Sequence, residues 1–311
     1  MPRTRLAPSP TGALHLGNAR TFLVNWALAR QLGWEVVLRI EDLDGPRVKV
    51  GASDAAIDTL RWLGMDWDEG PLYQLADPAP YTAALKRLAA AGQAYPCRCT
   101  RKEIEAASVS APHAGEHELR YPGTCRPETP LPVEFRAEAD EAWRLRVADE
   151  AVAFVDSLAG EQWENPQQTV GDFLVRTKAG LPSYQLAVVI DDHRQQIDRV
   201  VRGDDLLSST HRQLLVQRAL QTGPPPEYFH LPMVVGQDGR RLAKRHGDSR
   251  VAEYRRRGVP AERIVGLLAE WCGLGKRTAM NAADFLEAFD LDHLPEGQIV
   301  FGPEDDAWLL D

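Results

Sequence analysis

Long apolar runs are missing from this chain. Stretches such as Leu186–Ile190 fall far short of the roughly 20 residues that a membrane span needs, and Met1 is followed at once by a basic, proline-punctuated stretch with no apolar signal core. A cytoplasmic location is the expectation. Cysteine is scarce too. Of the four, Cys97, Cys99 and Cys125 are bunched and Cys272 stands far off in an apolar, helix-like segment; that is not a disulfide framework and points to a metal in a reducing compartment. Nor is there an excess of positive charge: 36 basic residues against 45 acidic ones give a net −9, which argues against a protein that coats nucleic acid by phosphate neutralisation. Local basic patches remain, Arg240, Arg241, Lys244, Arg245 with His246, and Arg255–Arg257. The plain reading of each is a solvated face. Internal repeats and low-complexity tracts are absent.

What is present is an ordinary globular composition, 311 residues with 44% apolar and 26% charged, enough for one large domain or two modest ones. Arg3–Ala7 reads as a strand leading into a Pro-Ser-Pro-Thr-Gly turn. Apolar residues at helical spacing from Gly17 to Leu32, stopped by Gly33, predict a helix, and Glu35–Ile40 predicts a buried parallel strand. Strand, helix, strand is a right-handed crossover whose ligand sits beyond the carboxyl ends of the strands. Both motif-rich turns, Pro8–Asn18 and Glu41–Arg47, fall at that edge. Further along, helices are expected over Ala52–Leu63, Pro80–Ala91, Leu206–Leu220 and Ala261–Cys272, and strands over Trp143–Val147, Ala151–Val155, Phe173–Arg176 and Ile197–Arg202. Tyr184–Asp191 reads as either, and Ser108–Glu118 as a loop in a polar insertion.

Three constellations carry chemistry. In Pro8–Asn18, Gly12 and Gly17 let a ligand approach the backbone, a helix beginning near Gly17 aims unpaired N–H groups at phosphate, and His15 can donate to a phosphate oxygen. Neither the glycine-rich dinucleotide fingerprint nor a phosphate loop ending in Gly-Lys-Ser/Thr occurs here. The second is the basic stretch Arg241-Leu242-Ala243-Lys244-Arg245. The third is Cys97-Arg98-Cys99 with Cys125, three sulfurs of a tetrahedral zinc site, for which His113 and His117 are the chemically obvious fourth ligands. Three reduced cysteines without a metal are the plainer alternative.

Taken together these segments resemble the class I aminoacyl-tRNA synthetases. His15-Leu16-Gly17-Asn18 is similar to the HIGH signature, inside a Pro-Ser-Pro-Thr-Gly lead typical of the glutamyl and glutaminyl enzymes. Arg39-Ile40-Glu41-Asp42-Leu43-Asp44, Ala187–His193 and Val201-Arg202-Gly203-Asp204-Asp205-Leu206 resemble glutamyl-tRNA synthetase segments in the family's order, over roughly residues 3–250. Arg241–Arg245 stands where the family has Lys-Met-Ser-Lys-Ser; Lys244 keeps the second lysine, Arg241 replaces the first, and Ala243 lacks a hydroxyl. Only a short stretch, 251–311, follows, where a full glutamyl-tRNA synthetase continues into an anticodon-binding domain. That shortened pattern resembles the glutamyl-Q tRNA(Asp) synthetase family.

The resemblance implies an α/β, Rossmann-like catalytic domain over 1–94 and 190–250, an insertion over 95–189 stapled by a zinc knuckle at 97–125, and a short helical region over 251–311 with no anticodon-binding domain. It implies an ATP- and Mg²⁺-dependent ligase that activates L-glutamate without tRNA and transfers it to queuosine in the anticodon of tRNA(Asp), acting as a monomer away from membranes. His15 and Lys244 would be catalytic, and His15, Gly17, Asn18 and Lys244 would hold ATP. Arg5, Leu6, Ala7, Pro8, Ser9, Glu41, Tyr184 and Arg202 would line the glutamate pocket, with Glu41 on the ammonium and the two arginines on the carboxylates. Tyr121 would complete the metal set of Cys97, Cys99 and Cys125. A short glutamyl-tRNA synthetase charging tRNA(Glu), and a non-catalytic tRNA-binding paralogue, are the competing expectations.

Overall fold

The computed structural model describes residues 1–108, 119–137, 140–240, 242 and 249–311. In chain order the elements are β1 (Arg3–Leu6), α1 (Leu16–Gln31), β2 (Glu35–Ile40), α2 (Ala52–Trp62), β3 (Glu69–Tyr73), α3 (Ala79–Ala90), β4 (Ala94–Cys97) and α4 (Arg101–Ser108). Then come β5 (Ala142–Leu145), β6 (Val152–Asp156), β7 (Gly160–Glu164), α5 (Pro166–Thr169), β8 (Leu174–Arg176), α6 (Tyr184–Arg194), β9 (Arg199–Gly203) and α7 (Leu207–Leu220). The last are β10 (Glu227–Leu231), β11 (Val234–Val235), α8 (Val251–Arg256), α9 (Ala261–Glu270), α10 (Ala282–Ala288), β12 (Ile299–Val300) and α11 (Pro303–Leu310). Two compact units result, Met1–Gln74 with Ile197–Leu206 and Glu227–Asp311, and Leu75–Gln196 with Leu207–Pro226.

In the first unit β1, β2 and β3 run parallel, Arg3 opposite Glu35 and Leu6 opposite Leu38. β9 pairs in parallel with β10 and lies along the free side of β1, where the Asp198 N–H donates to Arg3 O at 3.1 Å. From β1 the chain crosses to β2 on one side; from β9 it crosses to β10 on the other. The order therefore reverses between β1 and β9, and in open sheets of this kind a ligand binds beyond the carboxyl ends of the strands at such a reversal. α1 packs on this sheet through Leu16, Ala19, Leu23 and Ala27, all fully buried, and burying each leucine stabilises the fold by about 1.5–3 kcal/mol. Asn25 fixes its register, donating to Arg5 O at 2.9 Å and accepting from Thr4 Oγ1 at 2.8 Å. Gly33, at φ +66°, ends the helix in the left-handed conformation that a side chain would resist. The C-terminal helices α9, α10 and α11 belong to this unit, and Arg277 ties α9 to α11 by reaching Glu270 at 2.6 Å and Asp305 at 2.7 Å. The Arg255–Arg257 run is in part structural: Arg255 pairs with Asp58 and lies 5.0 Å over Trp62, and Arg256 pairs with Glu253 at 2.6 Å.

In the second unit β4, β5 and β8 form an antiparallel sheet, β6 and β7 a hairpin, and α3 packs with α6 and α7. Residues 184–191, open between helix and strand in the sequence, are helical because Ser183 caps α6, its Oγ accepting from the Leu186 N–H at 3.4 Å. Tyr81 donates to the buried Asp191 carboxylate at 2.8 Å and joins α3 to α6. The insertion is not all loop, since α4 occupies 101–108; the expected loop at 109–118 lies outside the described residues.

Candidate active site and metal centre

At the carboxyl edge of the first unit's sheet, the two motif turns are stitched together. The Glu41 N–H donates to Pro8 O at 3.1 Å and the Lys49 N–H to Pro10 O at 3.1 Å. His15 caps α1, its Nδ1 accepting from the Asn18 N–H at 3.3 Å. With Nδ1 accepting, a neutral ring carries its proton on Nε2. Gly17 serves this seat: a Cβ there would lie 3.2 Å from the imidazole and 3.3 Å from Val234, whereas Gly12 has open space. The segment after the lysine stretch returns to the same place, His15 bridging Arg250, the Leu16 N–H donating to Ser249 O at 3.0 Å and the Val251 N–H to Leu14 O at 2.9 Å. Lys244, with Arg241, Ala243, Arg245 and His246, lies outside the described residues.

The expected amino-acid residues of the first unit lie on its strands β1 and β9 and in the turns that follow β1 and β2. Arg5 and Arg202 stand on neighbouring strands and both are buried, with Arg5 Nη1 reaching Val201 O at 3.4 Å. Glu41, at the end of β2, takes an ion pair from the fully buried Arg39 at 3.2 Å. Arg202 Nε donates to His230 Nε2 at 3.0 Å and its guanidinium sits 5.7 Å over Tyr228. Leu6, at the end of β1, and Pro8 are buried, Ala7 is half-buried and Ser9 is exposed. Tyr184 opens α6 in the second unit, partly exposed. Sequence reasoning missed Arg39 and His230 as supports. Arg39 stood in a quoted motif; nothing in the sequence pattern marks His230.

In the second unit Cys97, Cys99 and Cys125 bring their sulfurs within 4.8 Å of one another, a group able to hold a metal ion. Around one zinc, sulfurs at about 2.3 Å and an oxygen at about 2.0 Å stand about 3.7 Å apart, sulfur to sulfur, and about 3.5 Å, sulfur to oxygen. Here Cys99 and Cys125 sulfurs are 3.4 Å apart, and Tyr121 Oη is 3.5 Å from Cys97 Sγ and 3.8 Å from Cys99 Sγ. The donor set fits a tetrahedral ion. Tyr121 Oη also accepts from the Cys125 N–H at 2.8 Å, and the phenol is buried beside Tyr95 and Cys97. Burial pushes the Cys99 thiol up to about 11; at Cys125 burial acts upward but is outweighed by hydrogen bonds from the Arg98 N–H and the neighbouring thiols and phenol, which bring it to about 7. His113 and His117 lie outside the described residues.

A family model described as tRNA synthetases class I (E and Q), catalytic domain, matches residues 2–305. The chain belongs to this family. Glutamyl-Q tRNA(Asp) synthetase of Rhodopirellula baltica is 47% identical over 87% of this chain and 84% of its own length, and that of Symbiobacterium thermophilum 45% identical over 94% and 93%. A glutamate–tRNA ligase of an Anaeromyxobacter species is 39% identical over 99% of this chain, which spans 65% of that ligase. A solved glutamate tRNA ligase from Elizabethkingia meningosepticum, in complex with its amino acid, superimposes with a TM-score of 0.81 at 25% identity, covering 99% of this chain and 68% of that one. This class I synthetase domain is α/β and Rossmann-like, carries a cysteine cluster suited to metal and ends in a short helical region. It is an ATP-dependent ligase whose fold binds ATP, an amino acid and tRNA. Among the described residues no helix is long and apolar enough to cross a membrane.

Proposed function

We propose that this synthetase activates L-glutamate with ATP in the absence of tRNA and transfers it to the queuosine base in the anticodon of tRNA(Asp). The observation that carries this reading is the contrast in identity. Glutamyl-Q tRNA(Asp) synthetases match at 43–48% identity over 80–93% of their length, whereas the glutamate–tRNA ligases match at 39% over 65% of theirs.

In the first step the α-carboxylate of glutamate attacks the α-phosphorus of ATP, forming glutamyl-adenylate and releasing pyrophosphate. Glu41 receives the ammonium, and Arg5 and Arg202 the two carboxylates, because a guanidinium offers a planar fork that matches a carboxylate. Leu6, Ala7, Pro8 and Ser9 supply backbone and wall, and Tyr184 is counted with them among the glutamate-binding residues. His15 donates from Nε2 to a phosphate oxygen, Gly17 and Asn18 present the start of α1 to the triphosphate, and Lys244 meets the charge that grows as the phosphorus is attacked, where a fixed cation lowers the barrier most. Mg²⁺ accompanies ATP and neutralises phosphate charge. In the second step a hydroxyl of the queuosine cyclopentene ring attacks the adenylate carbonyl and AMP leaves. The acceptor lies in an anticodon loop, so unpaired bases rather than a duplex groove are what the protein reads. Cys97, Cys99, Cys125 and Tyr121 would hold a structural zinc, which would tie together the two ends of the polar stretch 97–125.

The test is transfer of labelled glutamate, with ATP, onto tRNA(Asp) with queuosine, the same tRNA without it, and tRNA(Glu). Label on the queuosine-bearing tRNA alone is expected. Label on tRNA(Glu), with activation only when that tRNA is present, replaces this reading with the aminoacylating one, which the 39% relatives support. Label on none, with no activation, leaves a tRNA-binding protein.

A further inference from the structure

One buried cation of the second unit has no part in the reading above. Arg144 sits on β5, opposite Tyr95 of β4, and is 7% exposed. Its Nε donates to Cys97 Sγ at 3.3 Å, its Nη1 donates to the backbone carbonyl of Asp172 at 2.7 Å, and its guanidinium lies 3.7 Å over the Tyr121 ring. Among the described residues its contacts are thus a sulfur, a carbonyl and an aromatic face, and none is a carboxylate. A buried guanidinium is costly unless an opposite charge compensates it. The metal set supplies that charge: three thiolates and a phenolate around a divalent ion leave two net negative charges, in a pocket whose Cys97 and Tyr121 are nearly fully buried.

The geometry points to Arg144 as the positioning residue of the metal centre, holding Cys97 by a charge-assisted N–H···S bond, seating the Tyr121 ring by cation–π contact, and offsetting the negative charge of the ligand set. Partners in this outer layer orient ligands and set metal affinity. The arginine is itself aimed by a chain of buried bonds. Asp172 O fixes one arm, while the Asp172 carboxylate accepts from Tyr95, from Arg126 Nη1 at 2.8 Å and from the Val147 N–H at 2.8 Å. Lysine cannot replace it, because an ammonium has neither the Nε–H at that reach nor a flat face for the ring.

This inference rests on the zinc reading of Cys97, Cys99 and Cys125. The experiment uses the full chain as wild type, Arg144→Met and Arg144→Lys, each titrated with zinc against chelators of graded strength, and each loaded with cobalt for its thiolate-to-metal absorption. Arg144→Met, which keeps the aliphatic stem, is expected to weaken zinc by 10- to 100-fold and to shift the cobalt band; Arg144→Lys should recover only part of the affinity. Melting of zinc-loaded and stripped forms gives the control. The substitution should cost the loaded protein more than the stripped one, whereas a packing role costs both equally. Should Arg144→Met fail to fold, Arg144→Lys carries the same comparison. Zinc bound by the wild type and by both variants within twofold, with equal melting losses, overturns the role of Arg144 and leaves the metal centre standing. A wild type that holds neither zinc nor cobalt overturns the metal reading itself, and this inference with it.

Discussion

Replacing Glu41 by glutamine tests the amino-acid pocket with a change of charge and almost none of shape. Glu41 is 9% exposed and pairs at 3.2 Å with Arg39, which is fully buried. Deleting the side chain outright would strand Arg39, a loss of about 3–5 kcal/mol for a broken buried pair, and would confuse folding with binding. Glutamine keeps an oxygen for Arg39 Nη2, so the fold should survive while the charge opposite the substrate ammonium disappears. A hydrogen bond to a charged partner is worth about 1.5–3 kcal/mol, which is roughly 10- to 150-fold at 1.4 kcal/mol per decade. The assay is exchange of labelled pyrophosphate into ATP, with glutamate and no tRNA. Glu41→Gln should lower kcat/KM for glutamate by that factor and leave KM for ATP within about twofold, because the phosphate contacts assigned to His15, Gly17 and Asn18 do not involve this carboxylate. A folded variant with unchanged kcat/KM for glutamate would refute the assignment, as would an equal rise in both KM values, which would place Glu41 in support of the whole edge.

Lys244→Ala should cut kcat for exchange by about 10²–10³-fold with little change in KM for glutamate, as measured by the same assay; an unchanged rate removes Lys244 from the activation step. Gly17→Ala inserts a methyl 3.2 Å from the His15 ring and should weaken ATP several-fold while sparing glutamate, a split read by varying each substrate in turn. Tyr121→Phe should loosen zinc by at least tenfold in chelator competition, whereas an unchanged affinity hands the fourth position to another group. His211 on α7 lies edge-on to Phe154 and 3.6 Å from Glu164. Burial pushes its imidazole below the ordinary value, with Glu164 acting upward and Arg212 downward. The unfolded chain then takes the proton more readily, so this group's stability is complete above about pH 6.5 and lost as the pH falls below it. His211→Gln should flatten that part of the melting-temperature profile between pH 5 and 8, and an unaltered slope would assign the loss to other groups.

The amino-acid sequence made the catalytic half legible because its chemistry is local. The Pro8–Asn18 turn, the Glu41 turn and the strands beside them are each read within a dozen residues, and β2 spans the expected Glu35–Ile40. α1 starts at Leu16 rather than Gly17 because His15 serves as its cap. Distance in sequence hid what local reading could not reach. β10 carries His230 beneath Arg202, and Arg144 lies on a strand 47 residues from Cys97; neither position belongs to a recognisable string, and each matters only through a partner brought to it by strand pairing. α3 reads as a continuation of the nucleotide-binding part but packs with α6 and α7, because Arg87 caps Leu220 O at 2.8 Å and Tyr81 binds Asp191. The two-residue β11 and β12 escape for a different reason. A pair so short has no periodicity, and it forms because Met233 O and Val235 O accept from Ile299 and Phe301 at 3.0 and 2.8 Å.

These long-range bonds bear on how the site works. Around the lysine stretch, Leu242 on one side is 4% exposed, and Ser249 on the other, also 4% exposed, receives the Leu16 N–H. The chain at Ser249 is therefore fastened directly to a residue flanking His15. Pro8 and Pro10 in turn fasten the turn after β1 to the turn after β2 that ends in Glu41. The turns that carry the proposed phosphate and ammonium groups, and the chain at Ser249 and Val251, are thus tied by backbone hydrogen bonds at a single sheet edge. Backbone bonds of this kind fix position without depending on side-chain identity. Inserting one glycine between Lys244 and Ser249 keeps every side chain and moves Lys244 one residue further along the chain from Ser249. It should depress exchange nearly as far as Lys244→Ala does, whereas restoring Ala243→Ser should change the rate by less than about threefold, since a single neutral hydroxyl contributes about 0.5–1.5 kcal/mol at most.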